Sequence, residues 1–116
     1  MEDNTLQRTM LLDFFGDLLT DKQREYFDLH YNEDLSLAEI AAQSGISRQG
    51  VWDIIRRAEA TLLDMEAKTG LVRRDQERRA ALGEIEADLR RLSERLDGEA
   101  RTLAAHILDR LDELKR

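Results

Sequence analysis

The stretch from residue 36 to residue 62 constrains the fold most, because it specifies two short amphipathic helices and a tight turn between them. The spacing of its apolar residues predicts one helix over residues 37–43 and a second that begins after Ser47. Residues 44–46 form the turn, in which Gly45 supplies the positive φ that a sharp change of direction needs. Such a pair is a helix-turn-helix, a motif that commonly binds nucleic acid.

Capping residues mark where the helices begin. Ser36 followed three residues later by Glu39 predicts a capping box, in which each side chain bonds the other residue's backbone amide. Thr20 with Gln23 predicts the same arrangement at the start of a helix over residues 21–31. Ser47 can cap the second helix of the motif, which is predicted to run to residue 68, before a C-terminal cap signal at Thr69-Gly70.

Helical spacing also predicts which side chains form the core. In the helix-turn-helix these are Ile40, Ala41, Ile46, Val51, Ile54, Ala58 and Leu62. In the helix over 21–31 they are Tyr26, Phe27 and either His30 or Tyr31. A preceding helix over residues 5–19 is predicted to bury a broad face made of Leu6, Met10, Leu11, Phe14, Phe15 and Leu18.

Seven residues at the start of the second helix form the predicted nucleic-acid-binding surface, which we call the recognition surface: Ser47, Arg48, Gln49, Trp52, Asp53, Arg56 and Arg57. Arginine can bond guanine or phosphate, glutamine can pair with adenine, and an aromatic edge can touch a thymine methyl. Asp53 needs a cytosine amino group or a neighbouring arginine to offset its charge. The alternatives are a solvated helix face for the arginines and, for Trp52, packing against another segment or subunit.

The chain after residue 73 predicts a long helical extension. Leu82, Ile85, Leu89, Leu92 and Leu96 recur at alternating spacings of three and four, the pattern of a coiled-coil seam. Asp97-Gly98 interrupts this pattern as a hairpin turn or a kink. The pattern resumes with a shifted register at Ala100, Leu103 or Ala104, Ile107, Leu111 and Leu114, of which Leu103, Ile107 and Leu111 are the predicted dimerisation residues. Because two helices alone bury little apolar surface, we expect the seam to form a homodimer, with an intrachain bundle against the N-terminal helix as the monomeric alternative.

Composition favours an all-α protein of two parts, a domain over residues 1–70 and a dimerisation extension over residues 71–116. The 116 residues contain no proline and only 5% aromatics. Zero cysteines and two distant histidines predict no metal or disulfide site, and no pattern of catalytic residues or cofactor-binding loop is present, so an enzyme is not expected. The acidic start and the interrupted apolar runs predict neither a signal peptide nor a membrane span, and hence a cytoplasmic protein.

The net charge of −7 argues against a protein that binds nucleic acid nonspecifically, because such binding requires an excess of lysine and arginine. Most of that charge lies in residues 1–35, with three basic and nine acidic groups, whereas residues 36–61 hold three of each. The helix-turn-helix is therefore neutral but not basic. We expect any binding of DNA to be weak and sensitive to salt.

The block LTDKQREYFDLHYNEDLSLAEIAAQSGISRQGVWDIIRRAE, residues 19–59, resembles the helix-turn-helix of sigma-factor region 4. With the preceding MLLDFFGDLL and the charged tail, the whole chain resembles the YlxM-type family of bacterial helix-turn-helix proteins. The sigma-factor resemblance implies a region-4-like fold with DNA-reading positions at Arg48, Gln49, Trp52, Asp53 and Arg56. The YlxM resemblance implies a part in the signal recognition particle pathway, inferred from gene neighbourhood.

Three functional hypotheses follow. The first is a dimeric regulator that binds double-stranded DNA through the recognition surface. The second is an accessory protein of the signal recognition particle that binds its RNA or a protein subunit, through the same surface or through Arg73, Arg74, Arg78 and Arg79. The third is a sigma-like module that binds only protein, with the acidic N-terminal third as its contact surface.

Overall fold

The structure, a computed structural model, describes residues 2–115, with side chains from Thr5 onward; it contains six α-helices, a 3₁₀ turn and, within that range, no strand. The helices are α1 Glu2–Phe15, α2 Asp21–Tyr31, α3 Leu37–Ser44, α4 Arg48–Thr69, α5 Leu71–Ser93 and α6 Gly98–Lys115, with the 3₁₀ turn at Gly16–Leu18. The predicted all-α class is confirmed. The chain divides into two compact units, residues 1–72 and 73–116, which we call the N-terminal unit and the C-terminal unit.

The N-terminal unit has one apolar core built around α4, which packs against α1, α2 and α3. The predicted helix over residues 21–31 and its capping box are confirmed, and so is the burial of Tyr26 and Phe27. His30 and Tyr31 lie half-buried at the edge of the core. The side chains of Phe27, Ile40, Val51, Ile55, Ala58 and Leu62 have no exposed surface. The two helices of the helix-turn-helix, α3 and α4, are therefore packed directly into this core.

The predicted helix over residues 5–19 is wrong at both ends, since α1 begins at Glu2 and gives way to the 3₁₀ turn at Gly16. Its predicted buried face is only partly right. Leu11 and Phe15 are buried, but Leu6, Phe14 and Leu18 are 57%, 42% and 54% exposed, and Leu12 and Leu19 fill the core in their place. Apolar residues lie on several sides of α1, so their periodicity does not determine which side faces inward.

The C-terminal unit is a hairpin of α5 and α6. The Arg79 guanidinium donates to the backbone carbonyl of Lys115 at 3.0 Å, and the Lys115 ammonium pairs with Glu86. These bonds place the end of α6 beside the middle of α5. The break at Asp97-Gly98 is therefore a hairpin turn, in which Gly98 takes a positive φ of 58°.

Candidate nucleic-acid interface

Capping interactions fix where α3 begins, where it ends and where α4 begins. The Ser36 hydroxyl accepts from the Glu39 amide, and the Glu39 carboxylate accepts from the Ser36 amide, each at 3.1 Å, so the predicted capping box is confirmed. These bonds hold the pKa of Glu39 below its usual range. Gly45 ends α3 with a φ of 71°, and the Ser47 hydroxyl accepts from the Gly50 amide at 3.0 Å. The start of α4 is thereby fixed against α3.

Two predicted core positions in this corner need correction. Ile46 is 40% exposed, because the turn that Gly45 opens directs the next residue outward. Ile54 is only partly buried, and the neighbouring Ile55 is fully buried in its place. Two adjacent isoleucines both fit the apolar spacing, and the packing of α1 and α2 on α4 selects the second.

Of the seven residues of the recognition surface, Ser47 is the N-cap of α4 and the other six lie on its first three turns. Gln49, Trp52, Asp53 and Arg56 share one stripe of the helix, whereas Arg48 and Arg57 flank this stripe on opposite sides. Ser47, Arg48, Gln49, Arg56 and Arg57 are exposed, whereas Trp52 and Asp53 are half-buried. A shallow groove between the starts of α3 and α4 is lined by Leu37, Ser47, Arg48, Gln49 and Trp52. The groove presents a cation, an amide and an aromatic ring, which are three groups that contact bases and phosphates.

The three arginines of the recognition surface form no ion pair. Within the described part of the chain, none of Arg48, Arg56 and Arg57 lies in an ion pair, although Asp53 is on the same helix. Elsewhere in the N-terminal unit, Arg8 pairs with Glu59 and Arg24 pairs with Asp17. The positive charge of α4 is thus available to an external anion.

Trp52 contacts another segment of the chain, which is the alternative to base contact for this residue. Its ring lies edge-on to His30, with 6.5 Å between the ring centroids, and it packs against the core. The Nδ1 atom of His30 is in turn 2.8 Å from the carbonyl oxygen of Leu35. Because His30 and the core contact the Trp52 ring on one side, the ring faces the groove with its other side.

Asp53 is bound by a residue that the sequence does not indicate. Its carboxylate accepts from the Gln49 side-chain amide at 3.0 Å, one turn earlier on α4. The sequence offers a cytosine amino group or a neighbouring arginine to offset this charge, and of the two neighbouring arginines neither Arg56 nor Arg57 pairs with it. The i, i+4 spacing brings the Gln49 amide directly over Asp53, and the amide takes the place expected for an arginine.

A polar cluster that sequence reasoning missed anchors α1 and α2 to the middle of α4. The Arg8 guanidinium bonds Glu59 at 3.2 Å and lies 4.2 Å from the centre of the Tyr31 ring, whose hydroxyl is 3.5 Å from Glu59. Burial raises the pKa of Tyr31, and the charge of Glu59 raises it further. These residues are separated by up to 51 positions, and no local pattern links them.

The predicted dimerisation residues fall into two groups in the hairpin. Leu111 is buried, and Leu82, Leu89 and Leu96 are half-buried. Ile85 and Leu92 are each 51% exposed, Leu103 is 60% exposed and Ile107 is 40% exposed. Leu114, which continues the predicted pattern, is 59% exposed, and of the alternatives Leu103 and Ala104 it is Ala104 that is buried. The first group is wholly or partly removed from solvent, and the second leaves apolar side chains in contact with water.

The described residues hold no group of three or more metal-ligating side chains. None of the helices described is long and apolar enough to cross a membrane.

Comparison with known proteins identifies similar chains along most of the sequence. The profile of the UPF0122 family, described as YlxM/p13-like helix-turn-helix proteins, matches residues 2–99. A UPF0122 protein of Thermoanaerobacter sp. (strain X514) is 44% identical over 115 residues, which cover 98% of each chain. One from Symbiobacterium thermophilum is 45% identical over 83% of this chain and 88% of its own. One from Caldanaerobacter subterraneus subsp. tengcongensis is 54% identical over 66% of each chain.

Proposed function

Because the chain belongs to the UPF0122 family of YlxM/p13-like helix-turn-helix proteins, we propose that it binds double-stranded DNA through the recognition surface of α4. The observation that supports this most is that Arg48, Arg56 and Arg57 are exposed and have no ion pair among the described residues. Arg56 and Arg57 lie about two turns further along α4 than Gln49 and are suited to phosphates. Arg48 and Gln49, at the first turn, are suited to base edges.

The same observation favours α4 over the arginine-rich start of α5, which is the other candidate surface for RNA or for the signal recognition particle. Arg78 and Arg79 both bond the carboxylate of Asp75, at 2.7 and 2.8 Å. Arg73 lies 3.9 Å from Glu77. Cations with a local carboxylate release less free energy on meeting phosphate, because they must first give up that partner.

We also propose that two copies associate through the C-terminal unit. Ile85 and Leu92 lie on one line along α5, and Leu103, Ile107 and Leu114 lie on one line along α6. Helical geometry puts the α5 line about a sixth of a turn, and the α6 line about a quarter of a turn, from the more buried side chains of each helix, and both lines lie toward the same side of the hairpin. A second copy of this apolar face covers it with a matching surface, and a two-fold dimer presents two recognition surfaces to two half-sites.

The proposal is tested by selection from a random duplex pool, followed by anisotropy measurements on the enriched duplex at low and physiological salt. We expect an enriched motif, and Arg56→Glu should weaken its binding by at least about tenfold, since it replaces attraction to phosphate by repulsion. Arg24→Glu is the matched control, because it makes the same charge change on α2 and removes only an exposed ion pair with Asp17.

Two outcomes contradict binding of DNA at α4. If no motif is enriched and binding disappears at physiological salt, the recognition surface does not read DNA. Recovery of particle RNA or of a protein subunit from lysate would then support the second hypothesis, and salt-insensitive capture of a protein alone would support the third. Equal losses for Arg56→Glu and Arg24→Glu would mean that only net charge matters, and α4 would not be the interface.

A further inference from the structure

We infer that Asp53 is a positioning residue that orients the Gln49 side chain to read adenine, an inference that rests on the proposed binding of DNA by α4. The observation is the 3.0 Å bond from the Gln49 amide nitrogen to the Asp53 carboxylate. Both residues lie on the stripe of α4 that faces the proposed duplex. The bond explains why a carboxylate stands on a surface that meets phosphates.

The chemistry of the two groups determines the direction of the bond. An ionised carboxylate only accepts hydrogen bonds, so the Gln49 side chain must turn its nitrogen toward Asp53 and its oxygen away. A free glutamine on an exposed helix samples both orientations of its amide. The half-buried Asp53 removes one of them, and Gln49 remains exposed beyond it.

The orientation that remains matches one base. One N–H of Gln49 is used by Asp53, which leaves the second N–H and the oxygen as a neighbouring donor and acceptor. Adenine presents N7 as an acceptor and its 6-amino group as a donor in the major groove. Adenine can therefore form two hydrogen bonds with the Gln49 amide, one to the free N–H and one to the oxygen. Guanine presents two acceptors there, so it would face the Gln49 oxygen with an acceptor. Asp53 therefore gives selectivity without touching a base.

The experiment is the duplex selection repeated with Asp53→Asn, Gln49→Ala and the double variant. Asparagine keeps the size of the side chain but can donate as well as accept, so it no longer defines the orientation of Gln49. Glu33→Gln is the control, because it removes one exposed charge from the loop after α2. Thermal unfolding of each variant shows that it folds.

We expect wild type to prefer adenine at one position of each half-site by about tenfold, the range of a two-bond base contact. Asp53→Asn should reduce that preference several-fold and raise the affinity for unrelated duplexes, because a negative charge is lost. Glu33→Gln should leave the preference unchanged. The double variant should show the same loss as Gln49→Ala alone, since both residues act through one contact.

A readout without DNA tests the same bond. In the free protein, Asp53→Asn should shift the Gln49 side-chain amide resonances, whereas Glu33→Gln should leave them in place. Gln49 amide resonances that are the same in Asp53→Asn and in wild type overturn the inference.

Three outcomes of the selection are distinguishable. If wild type enriches no motif, the proposed function and this inference both fail. If Asp53→Asn keeps the adenine preference of wild type, only the positioning role of Asp53 is wrong. If wild type prefers cytosine and Asp53→Asn loses that preference, the Asp53 carboxylate contacts a base directly, and the inference is also wrong.

Discussion

Both units of the chain consist mainly of helix, but they differ in how completely they bury their apolar side chains. The N-terminal unit encloses its large apolar side chains, with Phe27, Ile55 and Leu62 entirely removed from solvent. Among its described residues, the C-terminal unit buries only Ala104 and Leu111, and it exposes Leu103 and other large residues by 40–60%. Three helices around a central one can close a core, whereas two helices have only one shared side. Apolar spacing alone therefore does not show whether a helix is buried by its own chain.

The largest expected effect compares the same substitution in both units. Leu62→Ala removes a fully buried side chain and should cost about 2–5 kcal/mol of unfolding free energy, whereas Leu103→Ala should cost less than about 1 kcal/mol in dilute, monomeric protein. Urea unfolding measures both values. Equal losses would mean that the hairpin has a core of its own, and the contrast between the units would be wrong.

The second prediction concerns the apolar face of the hairpin. Ile107→Asp places a charge in the proposed dimer interface, at a cost of at least about 3 kcal/mol. The dimer dissociation constant, measured by sedimentation equilibrium, should rise by more than about a hundredfold. Ala87→Asp is the control, since Ala87 is exposed and lies away from the line of Ile85 and Leu92. A wild-type protein that is monomeric at high concentration would contradict the proposal.

The smallest expected effect is a response to acid in the C-terminal unit. The Lys115 ammonium, followed by Arg90, holds the pKa of Glu86 below its usual 4.5. A lowered folded-state pKa means that this stabilisation is present above about pH 4.5 and is lost as pH falls through the lowered value. The protection factors for amide exchange over residues 73–115, which correct for the intrinsic pH dependence of exchange, should therefore fall modestly in acid.

Glu86→Gln provides the comparison for the acid response. This variant cannot titrate at residue 86, so its protection factors should depend less on pH over the same range. Asp75, whose pKa is lowered by its bond to Arg79, remains to give a residual response. An identical response in Glu86→Gln and wild type would mean that Glu86 does not hold α5 and α6 together.

Local signals in the sequence determine the helix-turn-helix well. The capping boxes at Thr20 and Ser36 and the glycine at residue 45 act within four positions of themselves, and each one appears in the structure where it was predicted. The same holds for the end of α4, where Gly70 takes a φ of 62°. These features depend on backbone chemistry that no distant residue can override at low cost.

Features that depend on distant partners could not be predicted. The choice of Ile55 over Ile54 depends on α1 and α2, and the Arg8 contacts join residues far apart in the chain. In the recognition surface the residue types were evident, but their orientation was not. Whether Asp53 bonds an arginine or Gln49 depends on rotamers, which helical spacing leaves open.

The position of Trp52 has an optical consequence. It is the single tryptophan of the chain, and it lies in the groove beside Arg48 and Gln49. Indole emission depends on the polarity around the ring, so intrinsic fluorescence follows occupancy of that groove without any attached dye. The C-terminal unit has no tryptophan, and association of the hairpins adds no indole signal of its own. One cuvette can thus follow ligand capture by emission while light scattering follows self-association.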